Sequence, residues 1–150
     1  MQVHLVHLVH QGIMKITLFM CAGALANRMG IKAIADLDGA GRLMPVTMAA
    51  FSVGALGMIG LPPVAGFISK WYLGIGALQS DAAWVVAVLA GSSLLNAAYF
   101  LPLLYRAWLL PPPPDRPAIR ELATTRDRML ILPAAVTALV ALGAGIFASL

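Results

Sequence analysis

The feature that most constrains the fold is an apolar segment at residues 45–79, which is interrupted at residues 61–66. The interruption contains Pro62 and Pro63, which lack a backbone N–H, and Gly66, which adopts geometries that other residues avoid. Lys70 follows a few residues later, although a charge near the centre of a bilayer is costly. Unpaired backbone at membrane depth must be shielded by protein or line a water-filled cavity. The pattern therefore predicts a broken helix inside a bundle, with Lys70 on an ion path.

The composition indicates an integral membrane protein. Of the 150 residues, 61% are hydrophobic and 11% are charged, whereas soluble domains carry about 25% charged residues. The net charge of +4 is interpreted as basic cytoplasmic loops, and nucleic acid is not expected as a partner because the sequence has no basic groove or stacking platform. Cys21 is the only cysteine, and the three histidines have no zinc spacing. No metal and no cofactor are therefore expected.

The apolar runs predict a single membrane domain over residues 1–150. The expected spans are residues 3–26, 45–79 with the break, 83–110 and 129–149, with a charged linker at residues 111–128. The first span would measure about 36 Å as a helix, which is enough to cross the hydrocarbon core. We therefore expect an all-α membrane protein of about four transmembrane helices, the second broken at residues 61–66.

Basic residues decide whether the segment at residues 45–79 crosses the membrane once or twice. Apart from Lys15 and Lys70, they fall in two groups, one in the first connection and one at or in the later linker: Arg28, Lys32 and Arg42, then Arg106, Arg116, Arg120, Arg126 and Arg128. A single broken crossing places both groups on one side, whereas two crossings would separate them. The positive-inside rule favours one crossing, with the basic loops in the cytoplasm and both termini on the outer side. The expected location is the cell (inner) membrane.

The first span carries a stripe of polar residues. At 100° per residue, His4, His7, Gln11 and Lys15 fall within roughly an 80° arc, and His10 lies near its edge. Lys15 is near the middle of the span, too deep to reach either surface easily. We therefore expect this stripe to face the interior of the bundle.

These residue types suit proton transfer. A buried lysine can take and release protons, and histidine passes protons between its two ring nitrogens. The predicted relay consists of Lys15, Lys70, His7 and Gln11 with water between them, and the candidates for further relay or water ordering are His10, Ser69 and Asn96. In the competing interpretation the histidines are packing residues, and Ser92, Ser93 and Asn96 form hydrogen bonds between helices.

Three passages together resemble one family. They are HLVHQGIMKITLFMCAGA at residues 7–24, GMIGLPPVAGFISKW at residues 57–71 and SLLNAAYFLPLLYRA at residues 93–107. In this order they are similar to the proton-conducting, antiporter-like membrane subunits shared by Mrp-type cation/proton antiporters and respiratory complex I, an NADH-quinone oxidoreductase. The amino-acid sequences of these passages are most similar to the Mrp D-type subunit. The resemblance covers residues 4 to about 110 well and the rest weakly.

The resemblance implies roles for particular residues. Lys15 would be the central relay lysine, Lys70 the lysine at the exit end of a half-channel, and His7 the first relay histidine. Where the family usually has a second histidine, this sequence has Gln11, with His10 one position earlier; glutamine orders water but does not carry a proton at neutral pH. Family members also have many more spans, in two half-channels. The chain is therefore expected to be a C-terminal fragment, a split gene product or a truncated reading frame.

Two functions remain open at this point. In the first, the chain translocates protons within a multisubunit monovalent cation/proton antiporter or an NADH-quinone oxidoreductase-like complex. In the second, it is a non-transporting structural remnant that packs against partner helices. The expected partners are other membrane subunits, the lipid bilayer and protons. Whether Na+ is a second transported ion is left open by the sequence. A redox enzyme is a weaker third interpretation, and a transporter subunit with no catalysis of its own is favoured.

Overall fold

The computed structural model describes residues 2–62, 64–116, 121–122 and 125–147, and the side chains of these except residues 2–6, 65 and 147. Throughout this part of the chain the regular elements are helices. They are α1 (Gln2–Met29), a 3-10 turn (Ile34–Leu37), α2 (Ala40–Leu43), α3 (Pro45–Ile59), α4 (Ala65–Gln79), α5 (Ala83–Leu109) and α6 (Thr125–Phe147). The predicted all-α membrane fold is confirmed.

Three of these helices are long and apolar enough to cross a membrane: His7–Met29, Ala83–Leu109 and Thr125–Ile146. The shorter apolar helix Pro45–Ile59 is the first half of the broken segment. The last span begins earlier than predicted, inside the expected linker. Asp127 in its first turn forms an ion pair with Arg28 at the end of α1, at 3.0 Å, and a carboxylate near a helix N-terminus is favourable.

Helix α3 has a defined start and a defined end. Pro45 occupies its first turn, where the missing N–H does no harm. The backbone N–H groups of Val46 and Thr47 donate to the carboxylate of Glu121 from the later linker. The helix ends at Gly60, whose φ of 88° lies in the left-handed region that favours glycine.

The break between α3 and α4 is shorter than predicted. Pro62 lies in the turn that joins the two helices, and Pro63 lies outside the described residues. Gly66 was expected within the break, but it belongs to the first turn of α4. A Cβ atom at Gly66 would overlap the carbonyl oxygen of Gly57. Glycine is therefore required at this position because the backbones of α3 and α4 are in contact there. Gly66 itself is helical.

The two basic groups meet at one end of the bundle. Arg106 forms an ion pair with Asp38 at 3.1 Å, and its carbonyl oxygen accepts from the N–H of Gly39. Arg116 donates to the carbonyl oxygen of Asp36 at 2.6 Å. Helix α5 is about 40 Å long, so it begins at the opposite end, close to where α4 ends. Helices α3 and α4 together therefore carry the chain across the bundle once.

Helix α3 lies in the centre of the packed structure, between α1, α5 and α6. The rings of Phe51 on α3 and Phe100 on α5 meet edge to face at 6.2 Å. Buried Thr17 on α1 donates to Thr137 on α6 at 2.6 Å. The outer face of α5 carries exposed large apolar side chains such as Leu94 at 71%. This face is suited to lipid or to further helices.

Candidate functional site

Lys70 is held at the helix break by three acceptors. Its Nζ donates to the carbonyl oxygens of Met58 at 2.9 Å and Ile59 at 3.1 Å, and to Ser93 Oγ on α5 at 2.9 Å. An ammonium group has three N–H donors, and each has an acceptor here. The half-buried lysine therefore reaches back from α4 to cap the end of α3.

Helix termini explain why a cation suits this position. The last carbonyl groups of a helix have no partner within the helix and carry the negative end of its dipole. Gly60 leaves room for the lysine stem, because a Cβ atom there would lie 2.9 Å from Lys70 Cδ. The break thus creates an acceptor site at membrane depth, and Lys70 occupies it.

Helix α5 supplies two polar groups on one face. Ser93 contacts Lys70, and Asn96 Nδ2 donates to the carbonyl oxygen of Met58 at 3.3 Å. Residues three apart on a helix are neighbours on its surface. Ser93 was not part of the predicted relay. It was named only in the competing interpretation, as a residue that forms hydrogen bonds between helices. Helical spacing from Asn96 does not distinguish it from Ser92, which lies four positions before Asn96, so the sequence carries no signal that selects Ser93.

A second contact joins α1 to α4 directly beside Lys70. His7 Nδ1 lies 3.0 Å from Ser69 Oγ. Ser69 is 3% exposed, and its hydroxyl also approaches the carbonyl oxygen of Gly66 at 3.2 Å. The structure therefore joins the predicted residues in two pairs: His7 with Ser69, and Lys70 with Asn96 through the carbonyl oxygen of Met58.

Lys15 lies elsewhere, on the wall of an open groove. The groove has a volume of about 630 Å³ and runs between α1, the 3-10 turn, α3 and α5; its lining includes Lys15, Lys32, Phe51, Met58 and Tyr99. The side chain of Lys15 is exposed, so the expectation that it faces the interior of the bundle is not met within the described chain. Its neighbours on α1, Met14 and Thr17, are buried and define the packed face.

Gln11 and His10 also stand apart from Lys70. Gln11 is half-buried, and its side chain forms no hydrogen bond with the part of the chain that is described. His10 lines a smaller cavity of about 110 Å³ between α1 and α6, and its buried Nδ1 has no hydrogen-bond partner among the described residues. The side chain of His4 lies outside the described set. Met58 connects the two regions, since it lines the groove beside Lys15 and its carbonyl oxygen accepts from Lys70.

Comparison with known proteins identifies the family. Residues 1–96 match the family described as NADH:quinone oxidoreductase/Mrp antiporter, TM. NADH-quinone oxidoreductase subunit N of Desulforudis audaxviator is 41% identical over 145 residues, which are 95% of this chain and 29% of that protein. NADH-ubiquinone oxidoreductase chain 2 of Oenothera berteroana is 33% identical over 102 residues, 63% of this chain and 21% of that protein.

A solved structure shares the fold. It is described as the structure of the Mrp complex from Dietzia sp. DQ12-45-1b; one of its chains matches with a TM-score of 0.81 and 24% identity, over 98% of this chain and 35% of that one. The chain thus spans only 29% of the length of the Desulforudis relative. The family match covers well over half of the chain and includes α1, α3, the break and Lys70. The chain belongs to the NADH:quinone oxidoreductase/Mrp antiporter family of membrane proteins.

Proposed function

We propose that the chain contributes part of a proton path to a multisubunit membrane complex, either an NADH-quinone oxidoreductase or an Mrp-type antiporter. The observation that carries this proposal is the amine of Lys70, which is held at a helix break by backbone carbonyls and by a hydroxyl of α5. Intramembrane charges of this kind mark ion pathways. The sequence relatives named above are a subunit of an NADH-quinone oxidoreductase and a chain of an NADH-ubiquinone oxidoreductase, which supports the first type of complex.

The groups around Lys70 can pass protons on. His7 can exchange a proton at each ring nitrogen, and the Ser69 hydroxyl beside it both donates and accepts. Lys15 provides a second amine, on the groove that Met58 also lines, and the carbonyl oxygen of Met58 accepts from Lys70. Water in the groove would join the two amines, and Gln11 would order it. Lys15, Lys70, His7 and Gln11 form the proposed relay, with His10, Ser69 and Asn96 in supporting positions.

Protons are the proposed ion. Helices α1, α3, α4 and α5 contain no aspartate or glutamate, whereas hard cations such as Na+ bind best to oxygen ligands that include carboxylates. The charged groups of these helices are lysines and arginines, which repel metal cations, and the lysines can also exchange protons. We also propose that the end of the bundle where Arg106 and Arg116 contact the first connection faces the cytoplasm.

Replacement of each lysine by alanine tests this function. In vesicles that contain the assembled complex, we expect Lys70→Ala and Lys15→Ala each to lower proton flux roughly a hundred-fold, the scale of a lost acid–base group. Arg42→Ala is the control, because Arg42 is exposed on α2 and lies outside the groove. The measurement is the rate of internal pH change after a pH jump, with subunit content checked by mass spectrometry.

The alternative function predicts a different outcome. A structural remnant would tolerate both substitutions without loss of flux, provided that the complex still assembles. Unchanged flux in both variants would therefore remove the transport function and leave a packing role. Loss of flux together with loss of assembly would be resolved by Lys70→Arg, which keeps a cation at the end of α3 but cannot release its proton.

A further inference from the structure

We propose that Ser93 and Asn96 are positioning residues for the Lys70 amine and bias its protonation in opposite directions. Ser93 favours the charged amine, and Asn96 favours the neutral one. The inference rests on the proposed function in that Lys70 is taken to carry protons. It goes further by assigning the control of that step to one face of α5.

The Ser93 hydroxyl completes the site for the charged form. The ammonium of Lys70 donates to Met58 O, Ile59 O and Ser93 Oγ at 2.9–3.1 Å. A neutral amine has only two N–H donors and carries a lone pair, to which the Ser93 hydroxyl could donate instead. A hydrogen bond from a charged donor is stronger than one between neutral groups, so the Ser93 hydroxyl binds the ammonium more tightly than the amine. Ser93 therefore stabilises the proton on Lys70.

Asn96 donates to the Met58 carbonyl oxygen, which is also an acceptor for Lys70. Its Nδ2 donates to Met58 O at 3.3 Å, and this oxygen also accepts from Lys70 Nζ at 2.9 Å. The positive end of the amide dipole therefore points at the oxygen that holds the ammonium and competes with it. When Lys70 is neutral or moves away, Asn96 keeps the carbonyl satisfied. Asn96 therefore lowers the cost of losing the proton.

The two effects arise from a single helix face. Ser93 and Asn96 are one turn apart on α5, and this helix packs against both α3 and α4. Ser92, one position earlier, is exposed, and its hydroxyl forms no hydrogen bond with any part of the chain that is described. Ser92 is therefore a matched control, since it has the same hydroxyl on the same helix but is not a hydrogen-bond partner of Lys70.

The test measures the protonation of Lys70 directly. The purified complex that contains the chain is treated with an amine-selective acylating reagent at a series of pH values. Mass spectrometry then gives the pH at which Lys70 is half-labelled, since only the neutral amine reacts. Lys32, an exposed lysine on the first connection, provides the internal reference. The variants are Ser93→Ala, Ser93→Thr, Asn96→Leu and Ser92→Ala.

The expected shifts have opposite signs. Ser93→Ala should move half-labelling toward acid by about one pH unit, the scale of a hydrogen bond to a charged group. Asn96→Leu should move it toward alkaline pH by about half a unit, because its bond to the shared carbonyl is longer and neutral. Ser93→Thr and Ser92→Ala should match the parent protein. Shifts of the same sign, or no shift in Ser93→Ala, would overturn the inference.

Proton flux separates this inference from the function on which it rests. If Lys70→Ala and Lys15→Ala both leave flux unchanged, the proposed function fails, but the labelling curves still show whether α5 sets the protonation of Lys70. If Lys70→Ala abolishes flux while the Ser93→Ala curve stays in place, only the inference fails. If both hold, the pH dependence of flux in Ser93→Ala and Asn96→Leu should follow the labelling shifts.

Discussion

The two lysines of the apolar spans have very different surroundings. Lys70 has a full set of acceptors within this chain, two from the end of α3 and one from α5. The side chain of Lys15 is exposed on an open groove and forms no hydrogen bond with the described residues. Both were expected to be interior groups of one relay. The structure completes the site of one and leaves the other open.

The difference shows which part of the path is intrinsic to the chain. Lys70 depends on a helix break, and a break brings its own acceptors because helix ends leave carbonyls unpaired. Lys15 sits on a continuous helix, which offers no free backbone group, so its partners must come from outside. A charge at membrane depth facing lipid is costly. We infer that other polypeptide or water covers this groove, in agreement with a chain that spans 29% of the Desulforudis relative.

The largest expected effect comes from a methyl group at the helix break. Gly66→Ala places a Cβ atom against the carbonyl oxygen of Gly57, and backbone cannot yield as a flexible side chain would. The two half-helices must separate, which should cost about 1–3 kcal/mol or more of stability and displace Lys70 from its acceptors. The measurements are the thermal unfolding of the purified complex and its proton flux.

Two glycines provide matched controls for that experiment. Gly74 on α4 and Gly12 on α1 both face open space, since a Cβ atom at either position would meet nothing within 4 Å. Alanine at either site should be neutral or stabilise its helix by up to about 1 kcal/mol. Gly12 lies near Lys15. If Gly12→Ala lowered stability and proton flux as much as Gly66→Ala, the contrast between the Lys70 site, which is built from backbone groups, and the open Lys15 groove would be wrong.

An intermediate effect is expected at the other end of α3. Glu121 accepts from the N–H groups of Val46 and Thr47, so α3 has an anion at its start and the Lys70 cation at its end. Glu121→Gln removes the charge but keeps an acceptor, and we expect a loss of about 0.5–1 kcal/mol. Thermal unfolding measures it, with Asp115→Asn as the control because Asp115 is exposed in the same linker. Equal effects of the two substitutions would show that the Glu121 carboxylate does not stabilise the start of α3.

Sequence reasoning predicted the elements of the fold because the signals are local. The apolar runs, Pro45 at a helix start and the proline pair after Gly60 depend on backbone chemistry that is the same in any protein. The family resemblance was confirmed by the match over residues 1–96. The single crossing could also be predicted, since it rests on the distribution of basic residues.

The contacts of the site were harder to predict because they join distant residues. Ser93 is 23 positions from Lys70, and no periodicity indicates which polar residue of α5 faces the break. Carbonyl groups such as that of Ile59 are the same in every residue, so the sequence does not mark them as acceptors. The polar stripe on α1 was expected to face the interior of the bundle, but Lys15 is exposed within this chain. The buried face instead carries Met14, Thr17 and Cys21.

The smallest expected effect lies at the rim of the Lys15 groove, which is formed in part by Lys32 and Ala33. Their backbone N–H groups donate to Asp36 Oδ2 at 3.0 and 2.9 Å. These hydrogen bonds lower the pKa of the Asp36 carboxyl below its ordinary value, and the bond from Lys32 has the largest effect. Because the folded-state pKa is depressed, the carboxylate stabilises the rim above the ordinary pKa of about 4, and this contribution is lost as the pH falls further.

Asp36→Asn should therefore loosen the rim at neutral pH but not in acid. Hydrogen exchange of residues 31–37, corrected for the intrinsic pH dependence of exchange, should be about two- to five-fold faster in the variant at neutral pH, the scale of one exposed hydrogen bond. The difference should vanish as the parent carboxyl becomes protonated. Exchange near Lys70 should not change, since that site uses none of these groups. A parallel change at residues 58–70 would show that the open and completed sites are coupled, and the contrast between the two lysines would have to be abandoned.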